Sequence, residues 1–188
     1  MPTVQMFVLE GYDTDAKQRL GAALTDAVRL VVPAHPELVT IMIQDVPPEN
    51  YYRGRTVRRP AAAKPDPGQI VRDYLAAMEA RDIPRAQGFL SKTFEMSFPG
   101  TDPMKTLQEL IDWAKPRYTF VTKTYEGFDT MQSPGDAAIV YCRGTLAGEW
   151  PDGRAFEGIR FIDRFEVVGD KITKQDVWND IAEAKAHT

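Results

Sequence analysis

Residues 154–168 read RAFEGIRFIDRFEVV. In an extended strand, successive side chains point to opposite faces. Ile159, Phe161, Asp163, Phe165 and Val167 then share one face, and Arg160, Ile162 and Arg164 share the other. A carboxylate among four apolar neighbours is costly unless it is paired, hydrogen-bonded or protonated. Asp163 is therefore a candidate catalytic residue, with a structural ion pair as the plainer reading. On the preceding strand Tyr141 and Arg143 share a face, which makes Arg143 the expected partner of Asp163. Tyr141, Arg143 and Phe161 join it as candidate substrate-binding residues.

Further strands are expected around this one, near 118–126, 136–149 and 171–180. Turns at Ser133-Pro134-Gly135-Asp136, Pro151-Asp152-Gly153 and Gly169-Asp170 separate them. Ahead of the strands lie helical patterns. GQIVRDYLAAMEARD, residues 68–82, sets Ile70, Val71, Tyr74, Leu75 and Met78 on one face. A short helix is expected over Pro84–Leu90. A third, with Met104, Leu107, Leu110 and Ile111 aligned, is expected after Asp102-Pro103. Helices followed by long antiparallel strands describe an α+β domain with a curved sheet. Phe89, Phe98, Trp113, Phe128 and Trp178 are the aromatic candidates for lining an apolar pocket there, although such a set is more often simply core.

RTVRRPAAAKPDPG, residues 55–68, is rich in proline, small residues and basic charge, and reads as a solvated, stiffened linker. The expected organisation is a first domain over 1–59, a linker over 60–68 and a second domain over 69–188. In the first domain PTVQMFVLE is a strand, and Asp13 or Thr14 caps a helix carrying Ala16, Leu20, Ala23, Leu24, Ala27, Val28 and Val31. Pro33 and Pro36 stop the helix, and VTIMIQDV, residues 39–46, forms a second strand. The result is a β-α-β unit with a right-handed crossover if the strands are parallel. A unit of this size has a thin core, so docking or oligomerisation is expected.

The whole chain has 188 residues, 43% apolar and 27% charged, with a net charge of −4. Nothing in that balance calls for nucleic acid. The single cysteine, Cys142, fits a reducing compartment. No signal peptide and no apolar run of membrane-spanning length is present, so a cytoplasmic location without membrane association is expected. His35 and His187 form no metal-site pattern, and neither a phosphate-binding glycine loop nor a G-x-S-x-G turn occurs. No metal and no cofactor are expected.

The order of a proline behind the initiator methionine, PTVQMFVLEG, a capped helix, VTIMIQDV and PPENYYRG resembles the 4-oxalocrotonate tautomerase family over residues 2–59. The resemblance implies an amino-terminal proline, Pro2, acting as a general base on an enolisable carbonyl compound. That role needs a free, uncharged imino nitrogen, which burial in an apolar pocket favours. It also implies pairing of β-α-β units into larger sheets, and assembly up to hexamers. Phe7, Val8, Tyr51 and Tyr52 are placed to supply the pocket. Two arginines typical of the family are replaced, by Tyr12 after the L-E-G turn and by Thr40 early in the second strand. Tyr12 then becomes the candidate donor to an enolate oxygen. Thr40, Tyr51, Arg53 and Arg55 become the candidate substrate contacts.

YLAAMEARDI, EMSFPG and FIDRFEVVGDKITKQDVWND make residues 69–182 resemble the SnoaL-like and ketosteroid isomerase-like proteins of the nuclear transport factor 2-like fold. The resemblance implies a cone, in which a curved antiparallel sheet wraps three helices around an apolar pocket. Tyr74 matches the tyrosine that donates to the enolate oxygen in ketosteroid isomerases. At the position of that family's aspartate base this chain has Phe98, before Pro99.

Together the resemblances imply a cofactor-free tautomerase or isomerase acting on a small carbonyl or enol compound, with the second domain binding or cyclising a related hydrophobic ketone. Two alternatives stand beside it. In one, a polyketide cyclase-like or isomerase-like cone works with the first domain as an oligomerisation module. In the other, the chain is a non-catalytic small-molecule binding or scaffold protein. A homo-oligomer, dimer to hexamer, is expected throughout.

Overall fold

The structure, a computed structural model, describes residues 1–186, so His187 lies outside the described residues. The chain forms two compact units, Met1–Ala63 and Lys64–Thr188.

In the first unit β1 (Thr3–Leu9) and β2 (Thr40–Val46) pair in parallel, from Thr3 opposite Thr40 to Leu9 opposite Val46. The crossover is α1 (Thr14–Arg29). Asp13 is its cap, accepting from the Ala16 N–H at 2.8 Å. Lys17 reaches Asp45 on β2 at 2.6 Å. Single helical turns cover Pro36–Leu38 and Pro48–Asn50. A minimal hairpin, β3 (Tyr52–Arg53) with β4 (Thr56–Val57), turns at Gly54, whose φ of 66° suits glycine. Half-buried Val4, Met6 and Val8 alternate along β1 with exposed Thr3, Gln5 and Phe7. No residue of this unit is fully buried.

In the second unit α2 (Pro67–Glu79) starts inside the expected linker. Asp66 caps it by accepting from the Gly68 N–H at 2.9 Å, and Pro67 takes the first helical position. The helix buries Val71, Tyr74, Leu75 and Ala77. It runs out at Arg81, which holds a left-handed φ of 58°. Asp82 then caps α3 (Ile83–Gly88). α4 (Leu107–Ala114) begins with a complete capping box between Thr106 and Glu109.

The sheet has the order β5-β9-β8-β7-β6. Its long strands β6 (Phe120–Gln132), β7 (Ala138–Glu149), β8 (Ala155–Val168) and β9 (Lys171–Asn179) are antiparallel neighbours and fall on the expected segments. Two elements were not foreseen. β5 (Leu90–Ser97) joins β9 in parallel at the sheet edge, its pairing broken between Leu90 and Glu95. α5 (Ile181–Ala186) is a six-residue closing helix. A register shift near Gly127 bends the β6–β7 pair, and one near Gly148 bends the β7–β8 pair. In the β6–β7 pair the strands also approach closely at two glycines: a Cβ on Gly144 would lie 1.9 Å from the Thr124 carbonyl oxygen, and one on Gly148 2.2 Å from that of Phe120. The concave face, with Ile159, Phe161, Phe165 and Val167, packs on Val71, Tyr74, Leu107 and their neighbours to form one core.

Candidate functional site

Between the concave sheet face and the helices lies a cavity of about 870 Å³. Tyr74, Leu75 and Met78 of α2 line it, with Leu110, Ile111 and Ala114 of α4 and Val121, Lys123 and Tyr125 of β6. Gln175 of β9 and Phe98 complete the wall relevant to chemistry. Its size falls within the range of small-molecule sites.

A polar network underlies this wall, which also includes Glu79, Arg81 and Lys115. Lys123 Nζ sits 2.5 Å from Asp163 Oδ2 and 4.3 Å from the centroid of Phe161, an ion pair combined with a cation–π contact. The Gln175 side-chain amide donates to the same carboxylate oxygen at 3.4 Å. Tyr74 donates its hydroxyl hydrogen to Gln175 Oε1 at 3.2 Å. Asp163 and Gln175 are the buried polar residues among those described. The strand alternation expected around Asp163 holds, since Ile159, Phe161, Asp163, Phe165 and Val167 are all buried.

The expected partner of Asp163 is corrected. Register pairs Asp163 with Cys142, Tyr141 with Arg164, and Arg143 with Ile162. Cys142 is thus the β7 residue on the face of Asp163, and Arg143 points outward to an ion pair with Asp129. Tyr141 lies on that outer face with Arg164, which in turn pairs with Asp176 at 3.2 Å. Trp178, opposite Ile162, is 51% exposed on the same side and lines neither the large cavity nor a smaller one beside it. Alternation along one strand gives faces, but the phase between two strands follows from register and bulges, which the sequence does not display.

Lys123 and Gln175 escaped the sequence reading. A signal existed for Lys123: half-buried Val121, Lys123 and Tyr125 alternate with exposed Thr122 and Thr124. A long cationic stem in such a position reads equally well as an edge-strand surface residue.

Burial raises the Tyr74 hydroxyl pKa well above the usual tyrosine value, and the charge of Asp163 adds to the effect. Tyr74 is therefore a neutral donor. Burial also raises Tyr125 and Tyr118. The buried Cys142 thiol is pushed up to about 12, by burial first and then by Asp163, and is a poor nucleophile. Phe98 and Trp113 meet at 5.0 Å between ring centroids. Phe89 and Phe128 pack half-buried on the core instead, Phe128 beneath the Arg72 guanidinium at 4.3 Å.

In the first unit, the Pro2 carbonyl accepts from the Thr40 N–H at 3.0 Å, which brings these two candidates together. Tyr12 and Tyr51 are half-buried, and Arg53 and Arg55 are exposed on the hairpin. Phe7 is 62% exposed on the open sheet face. Met1 precedes Pro2, so the Pro2 nitrogen in this chain is an amide.

The family model described as SnoaL-like domain matches residues 71–175, more than half of the chain. The chain belongs to the SnoaL-like family. Ahead of the SnoaL-like domain, the family model described as Tautomerase enzyme matches residues 2–58, so the chain is a fusion of the two. Among solved structures, an NTF2-like protein from Burkholderia pseudomallei is 17% identical with a TM-score of 0.53, covering 63% of this chain and 93% of its own. An NTF2-like protein from Burkholderia thailandensis is 21% identical with a TM-score of 0.50, covering 65% and 97%. TerC co-crystallized with polyporic acid is 13% identical with a TM-score of 0.52, covering 63% and 94%. At these identities the likeness shows the fold of the SnoaL-like domain. No curated protein matches the sequence. The two family matches agree with isomerase- or cyclase-type activity. Among the described residues no helix is long and apolar enough to cross a membrane, and no group of three or more His, Cys, Asp or Glu side chains could hold a metal ion.

Proposed function

We propose that the chain catalyses proton transfer on a flat, hydrophobic, enolisable carbonyl compound, an isomerase- or cyclase-type reaction, in the cavity of the SnoaL-like domain. One observation carries this reading: an ammonium–carboxylate pair and a tyrosine–glutamine pair join beneath a cavity of mixed apolar and polar lining. Lys123 lines that cavity, and its charge stabilises an enolate oxygen developing nearby. Asp163 holds the ammonium in place and keeps its charge compensated in the dry interior. Tyr74 and Gln175, both on the cavity wall, supply polar contacts that orient the carbonyl group. Asp163, which lines the adjoining small cavity and not the large one, is also the candidate base, by way of its free oxygen. Phe98, which lines the cavity and meets Trp113 at an interplanar angle of 52°, offers an aromatic surface to a planar ligand. TerC, which shares the fold, was co-crystallized with polyporic acid.

A second reading places the base at Pro2, with Thr40, Tyr12, Tyr51, Arg53 and Arg55 as its surroundings. The Tautomerase match that begins at residue 2 favours it, and it requires removal of Met1. In that reading the first unit works as an oligomer.

Ketonisation of phenylenolpyruvate, compared across variants, tests both. Lys123→Met and Tyr74→Phe are expected to lower turnover by about 100-fold and about 10-fold, on the scale of lost electrostatic and donor contributions. Pro2→Ala is expected to retain it. Loss of turnover in Pro2→Ala alone, with intact mass showing Met1 removed, would move the chemistry to the first unit.

A further inference from the structure

Beside the large cavity lies a second one of about 60 Å³. The two share Phe98, Tyr118, Val121 and Lys123 on their walls. Of the seven residues that line the small cavity and not the large one, two stand out, Trp113 and Asp163. Each has a buried polar atom without a hydrogen-bond partner, Trp113 Nε1 and Asp163 Oδ1. Asp163 is wholly buried, and its other oxygen already takes the Lys123 and Gln175 contacts.

Buried polar groups are normally satisfied. An indole N–H only donates, and a carboxylate oxygen only accepts. The complement to this pair must therefore both accept and donate. A ketone would satisfy the indole and leave the carboxylate oxygen bare. A carboxylate ligand would meet Asp163 with like charge, and an ammonium group would leave the indole unpaired. A hydroxyl group does both, as a water molecule also does, and the space is large enough to admit it.

We propose that the small cavity is a hydroxyl subsite, which takes the enolic or phenolic hydroxyl of a ligand whose carbon frame fills the large cavity. The proposal rests on the reading of the large cavity as a ligand site, and names the ligand as a hydroxylated planar ring or enol rather than a simple ketone. The hydroxyl donates to Asp163 Oδ1 and accepts from Trp113 Nε1. Trp113 is then a specificity-determining residue.

The test uses the full ¹⁵N-labelled chain and two probes, 2-naphthol and 2-methoxynaphthalene, which differ in the hydroxyl donor. The Trp113 indole resonance is assigned with Trp113→Phe. The naphthol is expected to bind about tenfold more tightly than the ether and to move the Trp113 N–H resonance downfield. In Trp113→Phe, which keeps an aromatic ring at the site, the preference should fall severalfold. Equal affinities, a tighter naphthol that leaves the Trp113 resonance unmoved, or no naphthol binding would each overturn the proposal. The readout is binding and not turnover. Selective naphthol binding without ketonase activity would refute the catalytic reading and leave the subsite standing, and the converse result would do the opposite.

Discussion

The two units of this chain use similar secondary structure to different ends. In Met1–Ala63, a two-stranded parallel sheet, one helix and a minimal hairpin leave every side chain at least partly exposed, with Phe7 at 62% and Met42 at 44% on the sheet face away from the half-buried Val4, Met6 and Ile41. In Lys64–Thr188, five strands closed by helices bury a continuous core and leave room inside it for a cavity. The difference is one of surface to volume. A two-stranded sheet has two faces and one helix to cover them, whereas a five-stranded curved sheet encloses its own concave side. The first unit leaves the sheet face of Phe7 and Met42 open, and we propose that a second copy of the chain covers it. The second unit can hold a buried charge because its core is complete.

The largest expected effect lies in the second unit. Lys123→Met leaves Asp163 buried without its counter-ion, and should lower stability by about 3 kcal/mol in urea unfolding. The double variant Lys123→Met/Asp163→Leu should recover much of the loss. An unchanged midpoint for the single variant would mean that the pair is not held in a dry interior.

The next prediction concerns assembly. Light scattering at micromolar concentration should find an oligomer, and Phe7→Asp should weaken it while leaving unfolding of the second unit unchanged. A monomeric native chain would break the comparison, because the first unit would then be stable without further burial. Gly144→Ala should destabilise by about 2 kcal/mol, since its methyl group would collide with the Thr124 carbonyl. Asp13→Ala should cost about 1 kcal/mol of helix stability in the first unit. Hydrogen exchange in α1 measures it, and exchange in α2–α4 should not change.

The smallest effect is a pH dependence. Glu109 accepts from the Lys105 and Thr106 N–H groups and the Thr106 hydroxyl, which hold its pKa below the usual 4.5. A depressed carboxylate stabilises the fold fully above its unfolded value, and that contribution is lost as pH falls through the folded value. Urea midpoints measured from about pH 6 to about pH 3 should fall less in Glu109→Gln than in the native chain.

Much of the architecture was legible in the sequence. The period-two run at Ile159–Val167 identified a strand and its buried face, and the proline-rich stretch separated two patterns that do not mix. Asp13 and the proline stops bounded α1. β5 was hidden because its alternation is imperfect and its pairing with β9 is broken between Leu90 and Glu95. The site was legible only in part. Asp163 stood out as a charge on an apolar face, and Tyr74 as a buried helix position. Lys123 lies 40 residues from Asp163 along the chain, and no local pattern links them.

By itself the sequence determined which residues are apolar, where backbone turns are cheap, and hence which faces must be covered. Tertiary structure decided which covered residues meet. Side-chain alternation fixes a face within one strand, but the phase between neighbouring strands depends on register and bulges. A shift of one residue there exchanges Arg143 for Cys142 beside Asp163, and leaves its charge to be met by a lysine two strands away.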